Sequence, residues 1–198
     1  MTHVSPLGRR AFAGLVLSIL CVLSAGLTAG QNPFSKIFGG DKNPNYQVSR
    51  DPAGRFELEI LTKDWRLLST VGSSLAVFAN KDGPTMVVDY VRLAERLTPA
   101  EIELMSDNDV DKIKSQDATA KDFKPDMCDT KAGRGVLIRY SRMGSGPEVV
   151  VHCSIPVGLD LYRLYGVIPE KQVSKDERII MHMIQSFKAP ADPAGAKK

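Results

Sequence analysis

The side chains of this sequence that are best suited to covalent or metal chemistry belong to two cysteines and one histidine. Cys128 and Cys153 are the cysteines outside the apolar N-terminal stretch, and His152 directly precedes Cys153. A histidine can activate a cysteine nucleophile, and both residue types bind zinc. Adjacent residues of a strand point to opposite faces, however, so His152 and Cys153 would not converge on one ion or one reacting atom. A structural role is therefore favoured over a catalytic or metal-binding one.

Two further motifs lack the residues that their chemistry requires. The acidic residues at 107, 109 and 111 suggest a calcium loop, but Lys112 and Ala118 stand where an EF-hand needs glycine and glutamate. The glycines at 133–135 and 144–146 are not followed by the lysine of a phosphate-binding loop. The sequence thus predicts no catalytic, cofactor-binding or metal-binding residue, and no cofactor.

Arginines form the remaining cluster of interest. Arg134, Arg139, Arg142 and Arg163 all fall in the C-terminal part of the sequence. If strands pair around the turn at 144–146, Arg139 and Arg163 would share one sheet face and could contact an anionic ligand or a partner's carboxylates. The alternative is that these arginines form local surface ion pairs, which are common.

The first thirty residues have the order of an export signal. Arg9 and Arg10 precede an apolar stretch over residues 11–29 that ends in small residues. The adjacent arginines resemble a twin-arginine signal, although a general secretion signal fits as well. The stretch also approaches the roughly 20 residues that span a bilayer, so an uncleaved N-terminal anchor is the alternative. Either reading predicts an exported protein, periplasmic or extracellular, with membrane contact only if the leader is retained.

The predicted export limits the chemistry expected of the two cysteines, and the net charge of the chain limits the expected classes of partner. An oxidising destination makes a disulfide between Cys128 and Cys153 the predicted use of these thiols. Arg9 and Arg10 account for much of the formal net charge of +3, and the leader has no acidic residue. The rest of the chain is close to neutral with interleaved charges, so nucleic acid is not an expected partner.

The pattern of apolar residues predicts one α+β domain. We expect a flexible spacer over residues 31–54, a folded domain over 55–188 and a disordered tail over 189–198. Thr98 and Glu101 form a capping box for a helix that ends before residue 118, and Ser174 is expected to cap a second helix that reaches about residue 188. Strands are predicted at 56–61, 74–79, 86–93, 136–143, 148–155 and 159–168. The fold class is an antiparallel sheet flanked by helices.

With these elements placed, residues 55–188 resemble the PsbP-like family. The similarity lies in the opening strand at 56–60 followed by Trp65, the strand at 162–165, and the closing helix that ends Ile184-Gln185-Ser186-Phe187. The family includes the extrinsic PsbP subunit of photosystem II and exported bacterial proteins. The resemblance implies an α/β/α sandwich and no general catalytic motif. It also implies a binding role, because the family members that are understood mostly bind or stabilise other proteins.

The predicted function is that of an exported, non-enzymatic binding or assembly module of the cell envelope. Its partner would be another, unidentified envelope protein. The alternative is a carrier of a small apolar ligand, with a pocket between sheet and helices. A hydrolase of unrecognised type is a third hypothesis, which would require convergent His, Asp or Cys side chains in a cleft.

Overall fold

A long antiparallel sheet forms the centre of the domain. The structure is a computed structural model that describes residues 46–68 and 75–190. The export signal with Arg9 and Arg10, the spacer before residue 46 and the tail after residue 190 lie outside the described residues. The strands are β1 (Tyr46–Arg50), β2 (Glu57–Leu61), β3 (Trp65–Leu67), β4 (Ala76–Asn80), β5 (Thr85–Arg92), β6 (Lys121–Thr130), β7 (Gly133–Met143), β8 (Pro147–Val157) and β9 (Asp160–Pro169). The helices are α1 (Pro99–Gln116) and α2 (Val173–Gln185), the second preceded by a 3₁₀ turn at Glu170–Gln172.

Seven of the strands form one sheet in the order β3-β4-β5-β9-β8-β7-β6, and β1 and β2 form a separate hairpin. All pairings are antiparallel. The central strand β8 shows why the sheet is covered on both sides. Val149, Val151 and Cys153 alternate with Val150 and His152, and all five are buried.

Each face of the large sheet has its own core. Helix α2 and the β1-β2 hairpin cover one face, where Phe187 and Ile180 pack with Leu58 and Leu164. Helix α1 packs on β6 and β7 on the other face, with Met105 as its most buried residue. The layers are therefore those of an α/β/α sandwich, as the sequence predicts.

Helix α1 begins as its sequence predicts. The Thr98 side chain accepts a hydrogen bond from the Glu101 backbone N–H, and Glu101 Oε2 accepts one from the Thr98 N–H at 2.8 Å. Pro99 occupies the first helical position, where its missing N–H costs nothing. These contacts fix the start of the helix that covers β6 and β7.

Helix α2 begins differently from the prediction. Gln172 is its N-cap and makes no side-chain capping bond, so the predicted cap at Ser174 is wrong. The 3₁₀ turn at Glu170–Gln172 runs directly into the helix and supplies the turn that a cap would otherwise begin. The predicted apolar stripe is present, with Ile180, Met183 and Ile184 buried.

The N-terminal boundary of the domain is also earlier than predicted. Residues Tyr46–Arg50, which the sequence assigns to the spacer, form β1 and pair with β2 from Tyr46↔Leu61 to Arg50↔Glu57. The Asp51 carboxylate accepts hydrogen bonds from the Arg55 backbone and side chain and closes the hairpin. Strand β6 was not predicted either. Among the described residues, no helix has the length and apolar character needed to cross a bilayer.

Candidate functional site

The register of the sheet separates the two arginines that the sequence places together. Arg139 pairs with Val151 of β8, whereas Ser154 of β8 pairs with Arg163 of β9. Positions 151 and 154 differ by an odd number, so they point to opposite faces. Arg139 is therefore on the α2 face and Arg163 on the α1 face, and the prediction of a shared face is wrong.

The two arginines also differ in their partners. Arg139 Nε donates to Glu177 Oε1 of α2 at 2.7 Å, which is the local ion pair that the sequence offers as the alternative. Arg142 likewise pairs with Glu148, at 3.0 Å. Arg163 Nε is buried and has no hydrogen-bond partner among the described residues. Arg163 thus has an unused buried donor, whereas Arg139 Nε already donates to Glu177, and the contact of Arg163 with an anion stays a prediction.

Arg163 belongs to a group of polar side chains between α1 and the sheet, which we term the helix-face cluster. Ser154 Oγ donates to Asp109 Oδ2 of α1 at 2.7 Å. His152 Nε2 lies 3.1 Å from the same Ser154 oxygen, and Asp89 is the cross-strand neighbour of Arg163. The members of the cluster are Asp89, Asp109, Lys112, His152, Ser154, Arg163 and Tyr165.

Hydrogen bonding fixes the tautomer of His152. The single hydroxyl proton of Ser154 goes to Asp109, so Ser154 Oγ can only accept from the histidine. His152 therefore carries its proton on Nε2, and Nδ1 is a buried acceptor with no partner among the described residues. The cluster holds one unused buried donor, Arg163 Nε, and one unused buried acceptor.

These residues do not form a catalytic triad, although serine, histidine and aspartate are all present. In a triad the histidine stands between serine and aspartate and takes the serine proton. Here Ser154 stands in the middle and its proton is held by Asp109. His152 and Ser154 are also only 3% and 1% exposed. The arrangement is suited to holding strands and helix together, not to activating Ser154.

Burial keeps the side chains of His152 and Tyr165 in the helix-face cluster uncharged. It lowers the pKa of His152 to about 4, and the nearby Arg163 and Lys112 lower it further against the opposing effect of Asp109. The Tyr165 ring stacks on His152 at 4.4 Å, and burial raises the pKa of its hydroxyl. His152 and Tyr165 are therefore neutral near pH 7, and Arg163 keeps its permanent guanidinium charge beside them.

Cys128 and Cys153 are not bridged in the structure, so the predicted disulfide is not shown. Cys128 lies on β6 and Cys153 on β8, with β7 between them. Strands two places apart are separated by ~9.5 Å, whereas bridged cysteines need Cα atoms within about 7 Å. The thiols approach each other over Gly135, where an added Cβ would lie 3.1 Å from Cys153 Sγ. Hydrogen bonding to Cys153 lowers the pKa of Cys128, and the same contact together with burial raises the pKa of Cys153.

The described residues also include no group of three or more His, Cys, Asp or Glu side chains that could hold a metal ion. The acidic residues at 107–111 lie within α1 and not in a loop.

The sequence predicts that His152 and Cys153 lie on opposite faces of their strand, which the structure confirms, but it gives no link between His152 or Arg163 and α1. Asp109 was the available signal, because it lies four residues from Met105 and four from Ile113 on the apolar side of the helix. An acidic residue in such a stripe needs a polar partner in the core, and Ser154 is that partner.

No family model matches the sequence, and no curated protein matches it. Solved structures do match. Cyanobacterial PsbP (CyanoP) from Synechocystis sp. PCC 6803 has a TM-score of 0.57 at 11% identity, with 77% of this chain and 96% of that chain covered. LpqN of Mycobacterium tuberculosis, described as involved in cell envelope biogenesis, has a TM-score of 0.51 at 13% identity over 73% of this chain and 91% of its own. The Saccharomyces cerevisiae Ran-binding protein Mog1p has a TM-score of 0.50 at 10% identity over 74% and 96%. The chain thus has the PsbP-like fold that its sequence resembles.

Proposed function

We propose that this PsbP-like domain is an exported, non-catalytic binding module of the cell envelope that holds another envelope protein through Arg163. The observation that carries the proposal is the buried Arg163 Nε–H, which has no acceptor within the described part of the chain. The side chain as a whole is half-buried, so part of it is open to solvent, but Nε itself is not, and a partner's carboxylate reaches Nε only if the side chains that cover it move aside.

The chemistry of Arg163 favours a carboxylate of the partner. A buried donor without an acceptor costs about 1–3 kcal/mol, and a binding partner that supplies the acceptor removes that cost. Guanidinium groups bind carboxylates through two parallel hydrogen bonds, with Nε–H as one of the donors. Asp89, beside Arg163 on β5, would repel a poorly aligned anion and so restrict the geometry of approach.

Two kinds of similarity support a binding role in the envelope. LpqN is described as involved in cell envelope biogenesis and Mog1p as a Ran-binding protein, and both share the fold. Arg9, Arg10 and the apolar stretch that follows have the pattern of an export signal. The buried arrangement of Asp109, Ser154 and His152 gives no reason to add a hydrolytic activity.

The test compares two arginine variants with the same change of charge on opposite faces. R163Q removes the unpaired guanidinium, and R139Q removes the arginine that is already paired with Glu177. Both proteins and the wild type are used to capture and cross-link partners from envelope extracts at low and high salt. We expect the wild type and R139Q to recover the same protein, and R163Q to recover at least about tenfold less.

Equal recovery by R163Q and the wild type would remove Arg163 from the proposal. A bound lipid or metabolite, found by mass spectrometry in place of a captured protein, would instead favour the carrier of a small apolar ligand.

A further inference from the structure

Strands β5 and β9 leave one side of the large sheet incompletely covered. Met86, Val88 and Leu164 are 0% exposed, whereas the residues that alternate with them along the two strands are half-buried. Such alternation is typical of a sheet with one side in contact with water. The half-buried residues lie opposite one another in the register, and we term these six the open strip: Thr85↔Val167, Val87↔Tyr165 and Asp89↔Arg163.

The open strip is on the same face of the sheet as α1, but α1 does not cover it. Arg163 of the strip pairs with Ser154 of β8, and Asp109 of α1 binds Ser154 on this face. Helix α1 packs on β6 and β7, so β8 lies between its main contacts and β9. On the opposite face, α2 and the β1-β2 hairpin bury the inward residues of β5 and β9. The incompletely covered side is therefore the side that carries Arg163.

The spacing of the strands leaves the width of one helix beside α1. Neighbouring strands are ~4.8 Å apart, so β9 lies ~9.6 Å from β7. The axes of packed helices are about 8–10 Å apart. A helix placed over β9 would therefore contact α1 on one side and cover the open strip beneath it. An added strand fits less well, because β5 and β9 already have strand neighbours on both sides.

The charges around the open strip indicate which side chains such a helix carries. Arg163 lies on β9, nearer to α1 than Asp89 on β5. Lys112 of α1 is close to Arg163, since burial lowers the pKa of Lys112 and the nearby guanidinium lowers it further. Positive charge is thus concentrated on the α1 side of the strip. A complementary helix has an acidic residue toward α1 and a basic residue toward Asp89.

Helix α1 itself shows how an acidic residue is held in this layer. Asp109 lies on the apolar side of α1 and accepts a hydrogen bond from Ser154 Oγ of the sheet at 2.7 Å. The helix thus combines apolar contacts with one carboxylate that meets a polar side chain of the sheet. The open strip offers a second helix the same combination, with Arg163 in the place of Ser154.

We propose that the open strip binds an amphipathic helix of the partner protein, with an acidic residue among the apolar ones that cover Val87, Tyr165 and Val167. Apolar side chains three and four positions apart form the stripe that lies on the strip. The acidic residue pairs with Arg163. This inference rests on the function proposed above and deepens it, because it names the kind of segment that Arg163 contacts.

The first experiment locates the partner by photocross-linking in the cells that produce the protein. Benzoylphenylalanine replaces Val87 in the open strip or, as the control, Glu103 on the exposed side of α1. Both proteins are first shown by thermal unfolding to fold like the wild type, and the cross-linked peptides are then identified by mass spectrometry. We expect position 87 to cross-link one partner segment with helical apolar periodicity and an Asp or Glu in its stripe. Position 103 should not cross-link that segment.

The second experiment uses that segment as a synthetic peptide. Short helices are marginally stable alone in water, so the peptide should gain helical circular dichroism when it binds the wild type. Fluorescence anisotropy compares the peptide with a version whose stripe carboxylate is replaced by the amide. We expect the amide peptide on the wild type, and the acidic peptide on R163Q, to bind at least about tenfold more weakly. R139Q, altered on the opposite face, should bind like the wild type.

The outcomes separate this inference from the proposed function. No cross-link from position 87, or a cross-link to a loop, a strand, a lipid or a second copy of this chain, would overturn the helix site. If R163Q still fails to recover the partner in that case, the proposed function stands without the helix. A helix that cross-links from position 87 with the same yield in R163Q would instead overturn the role of Arg163 in both.

Discussion

His152 couples the stability of the domain to pH. Its native pKa of about 4 lies below the unfolded value near 6.5, so the native state binds fewer protons than the unfolded state at acidic pH. Its contribution is fully present above pH ~6.5 and is lost as the pH falls toward 4. We expect the free energy of unfolding to fall by about 2 kcal/mol between pH 7.5 and pH 5 from this residue. Urea unfolding at several pH values measures the change.

The matched variant for this prediction is H152Q. Glutamine keeps a donor for Ser154 Oγ and does not titrate, so its stability should vary less over the same range. The rest of the chain is the same in both proteins. The lowered pKa values of Asp51, Glu57 and Glu59 destabilise both proteins only at lower pH, where those carboxylates protonate. Parallel pH profiles for the two proteins would contradict the assignment.

At the same scale of single residues, substitution of Arg9 and Arg10 distinguishes the twin-arginine export route from the general secretion route. A twin-arginine signal depends on both guanidinium groups, whereas a general secretion signal needs only positive charge. Replacing both by lysine, as R9K/R10K, should therefore abolish export if the twin-arginine route is used. Cell fractionation with immunodetection measures the exported fraction. Normal export of R9K/R10K would assign the chain to the general route.

At the scale of elements, Gly166 sets how closely α2 approaches β9. A Cβ added at this position would overlap Ile180 Cγ2, so G166A should lower the free energy of unfolding by about 1–3 kcal/mol. Removing the opposing side chain makes room, and G166A/I180A should be more stable than the sum of the single effects predicts. G146A is the control, because an added Cβ there meets nothing within 4 Å. Additive effects in urea unfolding would show that the two residues do not interact.

Elements with a strong local signal were predictable from the sequence. The capping box at Thr98 and Glu101 and the alternating valines of β8 are formed as expected. Strand β6 was missed because half of the residues in Lys121–Thr130 are charged, the segment contains a proline, and its pairing is irregular between Lys121 and Lys124. Strand β1 was missed because its five residues follow a long polar segment and are held by pairing with β2.

The candidate site was less predictable than the fold, because it depends on register and on contacts across layers. Which face Arg139 and Arg163 occupy is set by their partners in β8, and a sequence does not give those pairs. The distance between Cys128 and Cys153 depends on the insertion of β7 between their strands. Asp109 reaches Ser154 only because α1 packs on this face of the sheet.

At the scale of the whole molecule, the charged residues and the proline that make β6 hard to predict also protect an edge of the large sheet. This strand is at one edge of the large sheet, and it exposes Lys124, Pro125 and Asp126. Charges, proline and an irregular register at an edge prevent strand addition by another molecule. We expect K124V/D126V to self-associate with increasing concentration, measured by light scattering after size-exclusion chromatography.

The control for edge protection adds the same apolar surface elsewhere. E103V/D107V changes two exposed residues of α1 and should leave the protein as dispersed as the wild type. Equal association of both variants would attribute the effect to general hydrophobicity and not to the sheet edge.

Both ends of the described domain meet in the α2 layer. The Tyr46 ring lies against His182 of α2 in a tilted arrangement with the ring centroids 3.9 Å apart, and the Lys188 and Glu57 backbones exchange hydrogen bonds of 2.8 Å. The point at which any preceding segment attaches is therefore across the sheet from Arg163. A domain attached to a surface through its first described residue, Tyr46, would therefore present the side of the sheet that carries Arg163.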